Sequence, residues 1–175
     1  MSKRTRWGIL GLGNIAKQFA RGLKAVSDGD LVACGSRTQE NADSFGDEFE
    51  VPTRHSSYES LANDDEVDAI YISTPHSLHR ENCILCLEAG KAVLCEKPFT
   101  INRGEADEVM AVARREKVFL MEAMWTRFVP IMYKVRAWLS EGAIGDVTMV
   151  TADFGFGSKP NSESRLWKPE LGVAH

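Results

Sequence analysis

Lys97 sits in the stretch Cys95-Glu96-Lys97-Pro98-Phe99, just past a short apolar run, with Pro98 fixing the turn. A lysine there can donate a proton, or hold a hydroxyl while a hydride leaves the carbon that bears it. The same ammonium would also serve in a surface ion pair. A second polar stretch, Ser73-Thr74-Pro75-His76-Ser77-Leu78-His79, likewise follows an apolar run. It can pass under a bound ligand and then start a helix. His76 and His79 suit ligand contact and local capping or packing equally well. The third stretch relies on the backbone. Gly11, Gly13 and Ala16 have G-x-G-x-x-A spacing between an apolar run and a helical pattern. Gly11 permits a tight turn, Gly13 lets a pyrophosphate approach the chain through Asn14 and Ile15, and Ala16 allows close helix packing. The free N–H groups of the helix start then favour phosphate. The alternative is a tight structural turn.

The next apolar run tells which dinucleotide such a turn would hold. An NAD site usually carries an acid there, about 20 residues on, to bond the ribose 2′-hydroxyl. Here Ser36 and Arg37 stand in its place. An acid repels a 2′-phosphate, whereas arginine grips it with a fork of donors. The expected cofactor is therefore NADP rather than NAD, the bland alternative being a solvated loop arginine. Cys83 and Cys86 have C-x-x-C spacing, but inside the helical pattern of Arg80–Gly90. With Cys34 and Cys95 they read as buried apolar thiols, and no metal site is expected.

These stretches need elements to hold them at one edge. Short apolar runs at Trp7–Leu10, Leu31–Ser36, Ala69–Ser73, Ala92–Cys95 and Val118–Glu122 lack sustained alternation, as strands buried on both faces do. Helical patterns lie between them. One covers about Asn14–Val26, with Ile15, Phe19, Leu23 and Val26 on a face, and another covers Gln39–Phe49. A third runs from His79 to Ala89 and is closed by Gly90. The fourth is Arg103–Glu116. Repeated strand–helix–strand units predict a doubly wound parallel α/β domain over residues 1–122. Residues 123–175 then read as the start of an α+β domain. Pro130 opens a helix with Ile131, Val135, Trp138 and Leu139 on one face, Glu141–Asp146 is a turn, and Val147–Phe156 alternates like a strand. The remaining residues are polar and loop-like.

The composition is that of an ordinary soluble domain, 43% hydrophobic and 26% charged, with a formal net charge of -4. That charge gives no reason to expect nucleic acid or an anionic membrane as partner. No apolar run reaches the ~18–20 residues of a membrane span. The basic start is interrupted by Gly8, Gly11 and Asn14, which makes it a poor signal peptide, so the protein reads as cytoplasmic.

Together, "GILGLGNIA", "YISTPHSLH" and "LCEKPF" resemble the Gfo/Idh/MocA oxidoreductases. "EAMWTRFVP" and "GAIGDVTMVTADFGF" resemble the branch that holds dimeric dihydrodiol dehydrogenase and NADP-dependent D-xylose dehydrogenase. The resemblance implies an N-terminal Rossmann domain, a C-terminal α/β domain with a large antiparallel sheet, and homo-oligomers of the full-length form. It implies hydride transfer between NAD(P) and a hydroxyl of a sugar, polyol or diol. Lys97 matches the lysine that contacts the reacting hydroxyl, and Glu96 its neighbour near the nicotinamide. Trp125 and Arg127 match a W-x-R element at the nicotinamide end of the cleft, although Trp125 also suits a place between domains. The family continues after "PELG" with further glycines and "ALLD" or "ALMD", and later supplies a second acid–base partner. Here Gly172 is followed by Val173, Ala174 and His175. Deleting one G from a coding stretch for Gly-Gly-Gly-Ala-Leu-Met reproduces this ending. The expectation is thus an incomplete form of an NADP-dependent dehydrogenase, inactive as written and poorly soluble beyond Glu122. The competing reading is a non-catalytic NADP-binding module or inactive fragment.

Overall fold

The computed structural model describes residues 4–155 and 157. The chain divides into two compact units, one running to Ala123 and one beginning at Met124. The first alternates strands and helices: β1 (Thr5–Leu10), α1 (Asn14–Leu23), β2 (Gly29–Gly35), α2 (Gln39–Phe49), β3 (Thr53–His55), α3 (Tyr58–Ala62), β4 (Ala69–Ile72), α4 (His79–Glu88), β5 (Ala92–Cys95), α5 (Arg103–Glu116) and β6 (Leu120–Glu122). All strand pairs are parallel, in the order β3-β2-β1-β4-β5-β6. This is the doubly wound Rossmann order. Its direction of progression reverses between β1 and β4, which opens a crevice at their C-terminal ends.

The apolar runs form strands because both faces are covered. Every residue of β4 is buried. On one side Ile9, Cys34 and Tyr71 pack with Ala16 and Ala20 of α1 and Phe45 and Phe49 of α2. On the other, Leu10, Ile70, Ile72 and Val93 pack with Leu61 of α3, Cys83, Cys86 and Leu87 of α4, and Val109 of α5. All four cysteines are buried free thiols, as their patterning suggests. Gly90, at φ +75°, closes α4 as its position predicts, with its N–H donating to Leu87 O at 2.9 Å.

Several expectations need correction. The first helix ends at Leu23, and Val26 is 45% exposed rather than on the packed face. The face that meets the sheet is Ala16, Ala20 and Leu23, because small side chains let α1 lie close. The strand β3 and the short helix α3 were not anticipated. The expected strand at Val147–Phe156 does not form over residues 147–155, where no described segment offers a ladder partner, and Phe156 lies outside the described residues.

The second unit begins with a 3-10 turn at Trp125–Phe128, followed by α6 (Pro130–Ser140), where proline stands in the first turn as expected. The Arg136 guanidinium lies 4.7 Å from the Tyr133 ring centre and donates to Arg127 O at 3.0 Å. The turn after it contains Gly142 and Gly145, both at φ +69°. Among the described residues, no helix is long and apolar enough to cross a membrane.

Candidate active site

The crevice begins at Gly11, whose φ of +87° is left-handed and favours glycine. A Cβ there would lie 2.9 Å from Thr74 Cγ2 and 3.0 Å from Thr74 N. The end of β1 and the segment after β4 therefore touch through this glycine. Ser73 ties them further, its hydroxyl donating to Gly11 O at 2.6 Å and its N–H to Leu10 O at 2.9 Å. Gly13 is different. It caps α1 at φ -80° with no side-chain hydrogen bond, and a Cβ built on it meets nothing within 4 Å. Gly13 and Asn14 are exposed, Ile15 is half-buried, and Ala16 is fully buried beneath them. There is no acid in the first turn of α1. Open ground in front of unpaired helix N–H groups fits a pyrophosphate.

At the end of β2, Ser36 is buried and donates its N–H to His55 O at 3.0 Å. Arg37 is exposed, and among the described residues its guanidinium has no ion pair or hydrogen bond. Next to it, Thr38 caps α2 by accepting from Asn41 N at 3.4 Å. The Arg37 charge is felt at Tyr58, where it opposes the upward push of burial on the phenol. An uncommitted guanidinium and a serine, with no carboxylate, suit a 2′-phosphate at this position.

The Ser73–His79 segment and the Cys95–Phe99 segment are bolted together beside this crevice. Thr74 is buried, and Asn82 Nδ2 donates to its hydroxyl at 3.1 Å. Pro75 is half-buried and starts a one-turn 3-10 helix, His76–Leu78. His79 is fully buried. Its Nε2 lies 3.0 Å from Thr74 O, while Nδ1 lies 2.9 Å from Pro98 O and 3.3 Å from Phe99 O. Of the two roles open to His79, the structure gives the packing one, because a ring enclosed between two backbone segments has no edge left for a ligand. His76 is half-buried and meets His79 edge-on, with ring centres 5.5 Å apart.

Glu96 extends β5, donating its N–H to Ile72 O at 2.9 Å. Its carboxylate accepts from the Tyr71 hydroxyl at 2.5 Å and from Lys97 N at 3.1 Å. Lys97 is exposed, and its ammonium pairs with no carboxylate among the described residues, so the surface ion pair is not formed. The loop beyond is held by Glu122, which accepts from Phe99 N at 2.9 Å. An exposed, uncommitted ammonium on an anchored loop can hydrogen-bond a hydroxyl or exchange a proton with it. Trp125 and Arg127 belong to the second unit, on its opening 3-10 turn, with Trp125 53% exposed. Sequence reasoning missed Tyr71, Asn82 and Glu122. Their signal was a polar tip within, or just beyond, an apolar strand or helix face.

The model of the Gfo/Idh/MocA oxidoreductase family, NAD-binding Rossmann fold, matches residues 5–124. The chain belongs to this family. Trans-1,2-dihydrobenzene-1,2-diol dehydrogenase of Mus musculus is 45% identical over 153 residues, which is 86% of this chain and 46% of that protein. The Homo sapiens protein of the same name is 42% identical over 152 residues, again 86% of this chain and 46% of that one. The chain thus spans about half the length of the curated relatives it matches. Among solved structures, a 3-ketoreductase from Actinomadura kijaniata in complex with NADP and TDP-benzene is 34% identical with a TM-score of 0.75. The match covers 82% of this chain and 44% of that one.

Proposed function

We propose that this chain supplies the cofactor-binding half of an NADP-dependent oxidoreductase acting on a hydroxyl of a sugar, polyol or dihydrodiol. The observation that carries the reading is the free Lys97 ammonium at the end of β5, in a Rossmann fold whose glycine turn is open to a pyrophosphate. Gly11, Gly13, Asn14 and Ile15 bind the pyrophosphate, and Ser36 and Arg37 the 2′-phosphate. Ser73, Thr74, Pro75 and His76 line the floor of the crevice, with His79 as the clamp behind them. Bound NADP supplies the hydride acceptor. Lys97 would hydrogen-bond the substrate oxygen through its ammonium and steady the negative charge that develops there as the hydride leaves, the hydroxyl proton passing to water or a second base, and Glu96 orients the loop that carries Lys97. On this reading, residues 1–122 are the dinucleotide-binding domain and 123–175 the start of a substrate and oligomerisation domain. The protein acts in the cytoplasm as a homo-oligomer.

The relatives' names support the substrate class, and the NADP-bound neighbour supports the cofactor. Fluorescence titration tests the reading. NADPH should bind at least tenfold more tightly than NADH. Equal affinities would refute the assignment of Ser36 and Arg37.

A further inference from the structure

The best-packed phenol of the first unit is Tyr71, 2% exposed on the central strand β4. Its ring stacks on Phe19 of α1, with centres 3.9 Å apart and planes 11° from parallel. Phe19 in turn meets Trp7 of β1 edge-on at 5.4 Å. Two elements therefore fix the direction of the ring before its hydroxyl is considered. The hydroxyl emerges beside β5 and donates to Glu96 Oε1. Burial, and then the Glu96 carboxylate, push the phenol well above its ordinary pKa, so it stays a donor at any working pH.

The other Glu96 oxygen is also occupied, by the Lys97 backbone N–H. A carboxylate held at both oxygens lies back along its own loop and does not fold over the adjacent ammonium. We infer that Tyr71 is a positioning residue: its hydroxyl orients Glu96 and so keeps the Lys97 ammonium free at the nicotinamide end of the site. This rests on the cofactor reading above. Without the hydroxyl, Glu96 Oε1 loses its donor, and the carboxylate can swing toward Lys97. The damage would then be confined to the nicotinamide end, because the glycine turn, Ser36 and Arg37 have no part in the Tyr71–Glu96 bond.

Tyr71→Phe keeps the ring and the stack and removes only the donor. NADPH is titrated against the parent and variant chains, alongside adenosine 2′,5′-bisphosphate, which carries the 2′-phosphate but no nicotinamide. The expected result is a roughly fivefold to twentyfold loss of NADPH affinity, with bisphosphate affinity changed by less than about twofold, consistent with one lost bond to a charged group. Glu96→Ala leaves no carboxylate to capture Lys97, so it should bind NADPH within about twofold of the parent, and adding Tyr71→Phe to it should cost nothing further. A loss in Glu96→Ala equal to that in Tyr71→Phe would overturn the inference. Equal losses for both ligands would make Tyr71 merely structural and overturn the inference, as would unchanged NADPH binding in Tyr71→Phe. Should Tyr71→Phe not fold, Glu96→Asp, which keeps a carboxylate but withdraws it by one methylene from the Tyr71 hydroxyl, decides by the same ligand comparison. Selective loss of NADPH affinity supports the inference, and unchanged or equal losses overturn it. Failure of the parent chain to bind either ligand would overturn the cofactor reading, and this inference with it.

Discussion

Gly11 and Gly13 stand two residues apart, yet a methyl group added to each should fail in a different way. At Gly11 an alanine inherits a φ of +87°, which costs about 1–2 kcal/mol for an L-residue. Its methyl also falls 3.0 Å from Thr74 N and 3.2 Å from Ser73 C. These are backbone atoms, pinned by the Ser73 bonds to Leu10 and Gly11, so they cannot rotate away. Overpacking of that kind adds about 1–3 kcal/mol. Gly11→Ala should therefore destabilise the chain by about 2–5 kcal/mol, lowering Tm by something on the order of 10 °C. Gly13→Ala starts from φ -80° and open space, so the fold should lose less than about 1 kcal/mol, mostly through a poorer helix cap. Its methyl instead occupies the ground where a pyrophosphate would lie. NADPH affinity should fall roughly tenfold to a hundredfold, from about 1–3 kcal/mol of steric conflict. Urea unfolding followed by circular dichroism gives the first quantity, and fluorescence titration the second. Equal destabilisation by the two substitutions would refute the argument. So would a Gly13→Ala chain that binds NADPH like its parent.

Arg37→Asp should reverse cofactor preference, cutting NADPH affinity about a hundredfold through a lost charged bond and new repulsion, while NADH binding improves or holds; titration of both cofactors checks this. In a full-length version, Lys97→Met should lower kcat for NADP-dependent oxidation of D-xylose or a dihydrodiol by about 10²–10⁴-fold, with NADPH affinity falling by no more than the roughly twentyfold expected of Tyr71→Phe, and an unaltered kcat removes the lysine from the chemistry. Asp64 is pushed up by burial, but the Glu66 N–H, the His55 side chain and Lys91 outweigh this and hold its carboxyl below the usual range. Its stabilising contribution should be full above a pH of about 4 and fade as pH falls through the lower folded-state value. Asp64→Asn should cost about 1 kcal/mol at neutral pH and nothing at the acid end, as read from denaturation midpoints across pH.

What could be read in advance follows from how far apart the cooperating residues lie. The buried strands announced themselves because apolar runs are local. The two glycines did too, since a torsion and a close approach restrict one residue each. Ser36 and Arg37 were singled out by their distance from the glycine turn, and the structure sets them just past the end of β2, with the arginine exposed. The strand β3 was not readable, because three residues with partial exposure form a strand only against Ala33–Gly35. The roles of Tyr71, Glu122 and His79 depend on partners 25, 23 and 19 residues away, so no window along the chain contains both halves of the bond. The expected strand at Val147–Phe156 shows the converse error. Alternation describes which face a strand would bury, but a ladder also needs a neighbour.

The cysteines divide unevenly between the two sides of the sheet. Cys34 packs with α1 and α2, while Cys83 and Cys86 of α4 and Cys95 of β5 pack on the other side, with α3 and α5. Burial pushes Cys34 up to about 11 and Cys86 above the thiol range, and Cys95 is raised by its bond with Cys83 and then by burial. At neutral pH Cys34, Cys86 and Cys95 are protonated, and all four sulfurs are enclosed, so an alkylating reagent must wait for the chain to open. The molecule therefore carries two natural clocks. The rate at which Cys34 takes up label times the exposure of one helical layer, and the other three time the opposite layer. Their ratio tells whether the Rossmann unit opens as a whole or peels from one side first.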